Sequence, residues 1–156
     1  MKNKEKSMSQ LDRSLLQKQN KFFQSFEEKE VKVILDQGVI NRYKEGEVIF
    51  WERDPGDTMF IVLTGQVEIL LKEGEIEEVL AILGPGDIFG EGSFATKAPR
   101  TAKAMATKDT YVYVISANHL EKLMEKYPKI AAKMLLELLK TVCFRLHITN
   151  KRLSTG

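Results

Sequence analysis

Pro55-Gly-Asp-Thr-Met-Phe-Ile-Val-Leu-Thr-Gly-Gln-Val-Glu-Ile-Leu-Leu71 is the stretch on which the fold turns. Two β-branched and aromatic runs, Thr58–Leu63 and Gln66–Leu71, are parted by Gly65 and opened by a Pro-Gly-Asp turn. Runs this short, rich in Val, Ile and Phe and bounded by turn residues, read as adjacent strands rather than as a helix.

The same grammar continues on both sides. Upstream, Val39–Tyr43 and Glu47–Trp51 flank Gly46; downstream, Glu77–Leu83, Thr101–Thr107 and Tyr111–Ile115 follow the breaks at Lys72-Glu-Gly-Glu75 and Gly84-Pro-Gly-Asp87. In Thr101–Thr107 small apolar and polar residues alternate, as in a strand with one buried face. Many short strands at near-even spacing point to a sandwich or barrel. Phe89 to Pro99 alone breaks the rhythm and carries no strand pattern.

Helical periods frame this β region. Val31, Ile34 and Leu35 form the buried stripe of a helix from about Glu27 to Asp36 that stops at Gly38. After Ile115, Asn118 with Glu121 reads as an N-cap and its capping-box partner, ahead of Leu120, Leu123 and Met124. Pro128 belongs at the end of that helix or in the first turn of the next. Leu135, Leu139, Val142, Leu146, Thr149 and Leu153 then follow at heptad spacing, so the last helix is expected to form a homodimer seam.

The expected class is therefore α+β, mainly β: a sandwich or barrel of short strands with N-terminal and C-terminal helices. Residues 1–26 are read as an N-terminal extension, 27–127 as the β domain, and 128–156 as a C-terminal lid or dimerisation helix.

Composition narrows the function. With 156 residues, 43% hydrophobic and 29% charged, the chain has the make-up of one globular domain. No apolar run is long enough to cross a bilayer, and the polar start lacks a signal-peptide core. A cytoplasmic setting follows. The lone Cys143 leaves no internal disulfide and no multi-cysteine metal site. It is expected to be packed on its helix rather than redox-active. His119 and His147 lie far apart without a second ligand at metal spacing, so they are read as surface histidines. Strand aromatics Tyr43 and Trp51 are read as core. The net charge is +2, with residues 1–21 carrying six basic against two acidic side chains and residues 140–156 four against none. Basic ends suit solvated tails and a helix C-terminus, with contact to nucleic acid or an acidic partner as the alternative.

The chemistry lies in Phe89-Gly-Glu-Gly-Ser-Phe-Ala-Thr-Lys-Ala-Pro-Arg-Thr-Ala102. Gly90 and Gly92 let a backbone approach a ligand and expose successive N–H groups. A helix starting there offers unsatisfied amides and the positive end of its dipole to an anion. Arg100 adds a planar fork that matches phosphate oxygens, and Thr101 a hydroxyl beside it. Glu91 can only accept, which suits a sugar hydroxyl. An anion cradle beside a hydroxyl acceptor describes a nucleotide site. No nucleophile–base pair or carboxylate dyad with supporting context accompanies it, so binding rather than catalysis is expected.

This segment resembles the phosphate-binding cassette of the cyclic nucleotide-binding domain family, which runs Phe-Gly-Glu, a short helix, then Pro-Arg-Ser/Thr-Ala. Gly46-Glu-Val-Ile49, Gly56-Asp57 before Met59-Phe-Ile61, Gly65-Gln-Val67 and Gly84-Pro-Gly-Asp87 fall where that family places its turn glycines. Gly92-Ser93 departs from the family's aliphatic–alanine pair, and a helical glycine costs on the order of 1 kcal/mol relative to alanine.

The resemblance implies an antiparallel β-roll of jelly-roll type, with the short cassette helix inserted between strands, and it implies roles. Glu91 would accept from the ribose 2′-hydroxyl, and Gly90, Gly92 and Ser93 would present amides to the sugar–phosphate. Arg100 would neutralise the cyclic phosphate and Thr101 donate to it, with Phe89 and Pro99 framing the motif. Ala102 would sit on the barrel wall, with the apolar residues around Ile82 and Leu83 lining the pocket. Arg145-Leu-His-Ile-Thr-Asn150 is similar to the base-facing run of catabolite-activator-type regulators, making Thr149 and Asn150 contacts for an adenine amine. The expected ligand is cyclic AMP, with cyclic GMP as the alternative because Thr101 donates to guanine in some members. No metal or separate cofactor is implied. Two other readings stand beside the sensor: the sensor half of a transcription regulator, since no helix-turn-helix follows Leu153, and a ligand-independent interaction module in which Glu91 and Arg100 form a structural pair.

Overall fold

The computed structural model describes residues 13–155. Helix α1 (Arg13–Gln19) and a 3₁₀ turn (Phe23–Ser25) precede helix α2 (Glu28–Gln37). Strands β1 (Val39–Tyr43), β2 (Val48–Phe50), β3 (Thr58–Thr64), β4 (Val67–Glu73), β5 (Ile76–Leu83) and β6 (Ile88–Phe89) follow. Helix α3 (Glu91–Thr96) separates them from β7 (Lys103–Ala106) and β8 (Thr110–Ser116). Helices α4 (Ala117–Lys126) and α5 (Pro128–Thr155) close the chain.

Two antiparallel four-stranded sheets result, ordered β1-β8-β3-β6 and β2-β7-β4-β5. Strand β3 shows why its sequence is apolar without interruption. Successive side chains alternate between faces. Phe60 and Val62 enter the cluster between the sheets, while Met59, Ile61 and Leu63 enter a second cluster beneath the helices. Strand β8 divides likewise, with Val112 and Val114 in the first and Tyr113 and Ile115 in the second. A strand covered on both faces has no polar side to show.

The helical cluster joins distant parts of the chain. Leu16, Phe22, Phe23 and Phe26 share it with Val31 and Ile34 of α2 and with Ile130, Ala131 and Met134 of α5. The boundary expected at residue 26 thus falls inside one packed cluster, with Phe26 and Val31 on either side of it. Glu30 of α2 accepts from the Lys133 ammonium at 2.7 Å, and Ser25 donates to Glu137 at 2.9 Å. Beyond these contacts α5 carries exposed apolar residues, Leu139 at 57% and Leu146 at 58%.

Several local expectations are corrected. Strand β6, which the sequence reading did not include, ends on Phe89, the first residue of the segment read as strandless, and pairs Phe89 with Phe60 and Ile88 with Ile61. Helix α4 starts at Ala117, and its cap is Ser116, whose hydroxyl accepts from the His119 amide at 3.2 Å. Asn118 lies in the first turn instead. Trp51 sits past the end of β2, 56% exposed, with the Lys103 ammonium 4.8 Å from its ring centre. Cys143 is exposed on α5. His147 is exposed, whereas His119 is half-buried with an unpartnered Nδ1. The expectation for residues 1–12 lies outside the described residues. No helix among those described is long and apolar enough to cross a membrane.

Candidate functional site

Gly90 ends β6 and caps α3 in the left-handed region, at φ 76°. The first intrahelical bond is from the Phe94 amide to the Gly90 carbonyl at 3.2 Å. The amides of Glu91, Gly92 and Ser93 therefore have no acceptor within the helix. Lys97 terminates the helix, also left-handed, and returns the chain to Pro99 and Arg100.

Arg100 is the centre of the arrangement. Its side chain turns inward and the residue is only 5% exposed. Nη1 donates to the Thr58 carbonyl at 2.9 Å and to the Gly90 carbonyl at 3.0 Å, and Nη2 donates to the Thr58 hydroxyl at 2.8 Å. Its Cζ lies 4.4 Å from the Phe50 ring centre and 5.5 Å from that of Phe60. Gly56 clears the space: a Cβ there would sit 2.3 Å from Nε. The loop before β3 clasps this arginine, with Arg53 N–H donating to the Arg100 carbonyl and Arg100 N–H to the Asp54 carbonyl.

All three side-chain bonds of Arg100 go to neutral oxygens, and Nε has no partner. Burial pulls its pKa below the ordinary arginine value, opposed by the charges of Asp57, Asp54 and Glu91. An arginine stays charged in a protein regardless. A buried cation without a counter-ion is costly. An anion alongside it removes that cost.

Arg100 borders a cavity of about 360 Å³. Phe50, Ile69, Ala81 and Leu83 give it an apolar wall. Phe89, Gly90, Glu91, Gly92 and Ser93 form one side of the mouth, and Pro99, Thr101 and Ala102 another. Arg145 of α5 closes over it, donating to the Glu91 carboxylate at 2.8 Å and to the Ile88 carbonyl. The cassette residues and Arg145 named from sequence thus meet around one space.

Three named residues do not. Ile82 is 61% exposed and, with Thr149, lines an adjoining cleft of about 710 Å³ between β5 and α5. Strand alternation sends Ala81 and Leu83 to the first cavity and Ile82 away from it. Asn150 is exposed and lines neither space. Thr149 donates its hydroxyl proton to the Arg145 carbonyl at 2.9 Å. Sequence reading missed Gly56, Phe50 and Thr58, which lie 44, 50 and 42 positions from Arg100. In the sequence alone Gly56-Asp57 reads as a turn. Among the described residues no three His, Cys, Asp or Glu side chains group as a metal site.

The model of the cyclic nucleotide-binding domain matches residues 40–127. The chain is 33% identical over 90 residues to the cyclic AMP receptor protein of Thermus thermophilus, spanning 57% of this chain and 42% of that one. It is 30% identical over 113 residues to the CRP-like cAMP-activated global transcriptional regulator of Mycobacterium tuberculosis, spanning 72% and 49%. The matched part is under half the length of both relatives. A solved cyclic nucleotide-binding domain from Methylobacillus flagellatus superposes with a TM-score of 0.76 at 28% identity, covering 84% of this chain and 75% of that one. The double sheet, the inserted short helix and the family match together show that the chain belongs to the cyclic nucleotide-binding domain family, as a regulatory domain.

Proposed function

We propose that this domain binds cyclic AMP in preference to cyclic GMP and reports occupancy through α5. The observation that carries the reading is Arg100, a buried cation satisfied only by neutral oxygens and bordering a cavity of about 360 Å³. A cyclic phosphate supplies the missing charge. The amides of Gly90, Gly92 and Ser93, the Thr101 hydroxyl and the Ala102 wall complete its seat, with Phe89 and Pro99 fixing the two ends of the cassette. Glu91 accepts from the ribose 2′-hydroxyl.

The base is assigned to the side facing α5, where Thr149 lines the adjoining cleft. That hydroxyl spends its proton on the Arg145 carbonyl and so offers lone pairs only. Such an oxygen suits the amino group of adenine and opposes the carbonyl of guanine. Ile82 lines the same cleft, and Asn150, the residue after Thr149, is the second candidate for the base.

Arg145 joins α5 to the sugar acceptor, so a ligand that engages Glu91 changes what holds the helix. A difference in affinity between the two helix positions would drive the switch. The exposed seam of α5 is assigned to a homodimer. The domain binds and reports without catalysing, and acts in the cytoplasm, where an exposed thiol such as Cys143 stays reduced.

Isothermal titration with cyclic AMP and cyclic GMP tests the reading, run beside Arg100→Gln and Glu91→Gln. Binding of cyclic AMP that both substitutions weaken supports it. No heat from either nucleotide with the folded wild-type chain overturns it.

A further inference from the structure

One residue holds the Arg100 guanidinium by two atoms. Thr58 accepts from Nη1 through its carbonyl at 2.9 Å and from Nη2 through its hydroxyl at 2.8 Å. It opens β3, where it pairs with Ser116 of β8, so both oxygens sit on a fixed strand end. The Gly90 carbonyl takes a further Nη1 hydrogen at 3.0 Å. Phe50 packs at 4.4 Å from Cζ, and Gly56 presents no side chain there.

A guanidinium has two forked edges, one between its Nη atoms and one between Nε and Nη2. Thr58 occupies the first. Nε is left without a partner, so the second edge keeps its donors for two oxygens of one phosphate. The Thr58 hydroxyl fixes which edge is used: without it Nη2 loses its neutral anchor and the guanidinium is held through Nη1 alone.

We propose that Thr58 is a positioning residue for anion recognition, acting through Arg100 to present the Nε–Nη2 edge to the phosphodiester of the nucleotide. The proposal rests on the reading that Arg100 binds the cyclic phosphate. Thr58 itself touches no ligand.

The test uses the full chain, titrated calorimetrically with cyclic AMP, in three variants. Thr58→Val keeps the shape and removes the hydroxyl, Thr58→Ser keeps the hydroxyl, and Arg100→Lys keeps the charge but loses the fork. Thr58→Val is expected to weaken cyclic AMP binding about tenfold, the size of losing a hydrogen bond to a charged group. Thr58→Ser restores binding to within about threefold of wild type, and the far-ultraviolet spectrum and unfolding midpoint of each variant report its folding. Wild-type affinity in folded Thr58→Val, with Arg100→Lys impaired, overturns the role of Thr58 and leaves Arg100 in place. Equal losses in Thr58→Val and Thr58→Ser overturn it too, because the hydroxyl then does not matter. Wild-type affinity in Arg100→Lys overturns the underlying reading of Arg100.

Discussion

Arg145, deep in the C-terminal helix, donates to the carboxylate of Glu91, the first residue of the cassette helix, at 2.8 Å. The two lie 54 positions apart, and both side chains are about a third exposed or less. The link fastens the middle of a helix whose first turns alone are buried in the helical cluster. Removing it with Arg145→Ala should free the segment after Lys140 while leaving the sheets intact. Amide exchange across residues 141–153 is expected to speed up, with β3 and β8 unchanged. A double-mutant cycle with Glu91→Gln should return a coupling on the order of 0.5–1 kcal/mol, since a partly exposed pair is screened by water. No coupling in that cycle would show that the contact does not hold the helix.

Two glycines make room for the buried arginine, and their substitution should be felt there. A Cβ on Gly56 would lie 2.3 Å from Nε of Arg100, and one on Gly90, at φ 76°, would lie 2.8 Å from Nη1. Gly56→Ala and Gly90→Ala are expected to destabilise the fold by about 1–3 kcal/mol in urea unfolding. Both should also abolish detectable nucleotide binding by calorimetry, because Arg100 must move. Gly74, at φ 65° in the β4–β5 turn, has nothing within 4 Å of the same position. Gly74→Ala is the control, expected to cost about 1 kcal/mol of stability and leave affinity alone.

The strands were legible because the sequence marks them twice, by apolar runs and by turn residues. Val39–Tyr43 matches to the residue, and the others shift by one or two positions. Strand β6 was not legible: two residues carry no period, and only pairing to Phe60 and Ile61 makes Ile88 and Phe89 a strand. The start of α4 was misplaced because Asn118 and Glu121 imitate a cap that Ser116, the last residue of β8, supplies. At the site, the cassette was readable since its residues are contiguous. Thr58 and Phe50 were not, because Thr58 looks like any strand-opening threonine and Phe50 like any core aromatic until the sheets bring them to Arg100. Ile82 was separable from Leu83 by strand alternation alone.

Glu30 predicts a pH dependence for the helical cluster. Burial pushes its carboxyl pKa up, but the Glu27 amide and the Lys133 ammonium outweigh burial and hold it below the ordinary value. A depressed carboxylate contributes stability in full above its unfolded pKa, about 4.3, and loses it as pH falls through the folded value. Glu30→Gln should therefore cost about 1 kcal/mol at neutral pH through the lost ion pair with Lys133, since the glutamine oxygen still accepts from the Glu27 amide. The gap to wild type is expected to narrow as pH drops below about 4 in a series of urea titrations. A gap that stays constant with pH would mean that the ion pair contributes nothing.

The seam of α5 makes the last prediction. Leu135, Leu139, Val142, Leu146 and Leu153 are exposed in the single chain, and their heptad spacing puts them on one stripe. Exposed leucines at this density favour a partner helix, and a second copy presents the same stripe. Sedimentation equilibrium is expected to give twice the monomer mass for the intact chain. Leu139→Glu with Leu146→Glu should give the monomer, because like charges then face one another across the seam. Lys151→Glu, off the stripe, should remain dimeric. Neither Leu139 nor Leu146 lines the cassette cavity, so the double variant is expected to keep the Arg100-dependent part of nucleotide binding. A wild-type chain that sediments as a monomer at every concentration would remove the seam's role and leave α5 to act on its own domain.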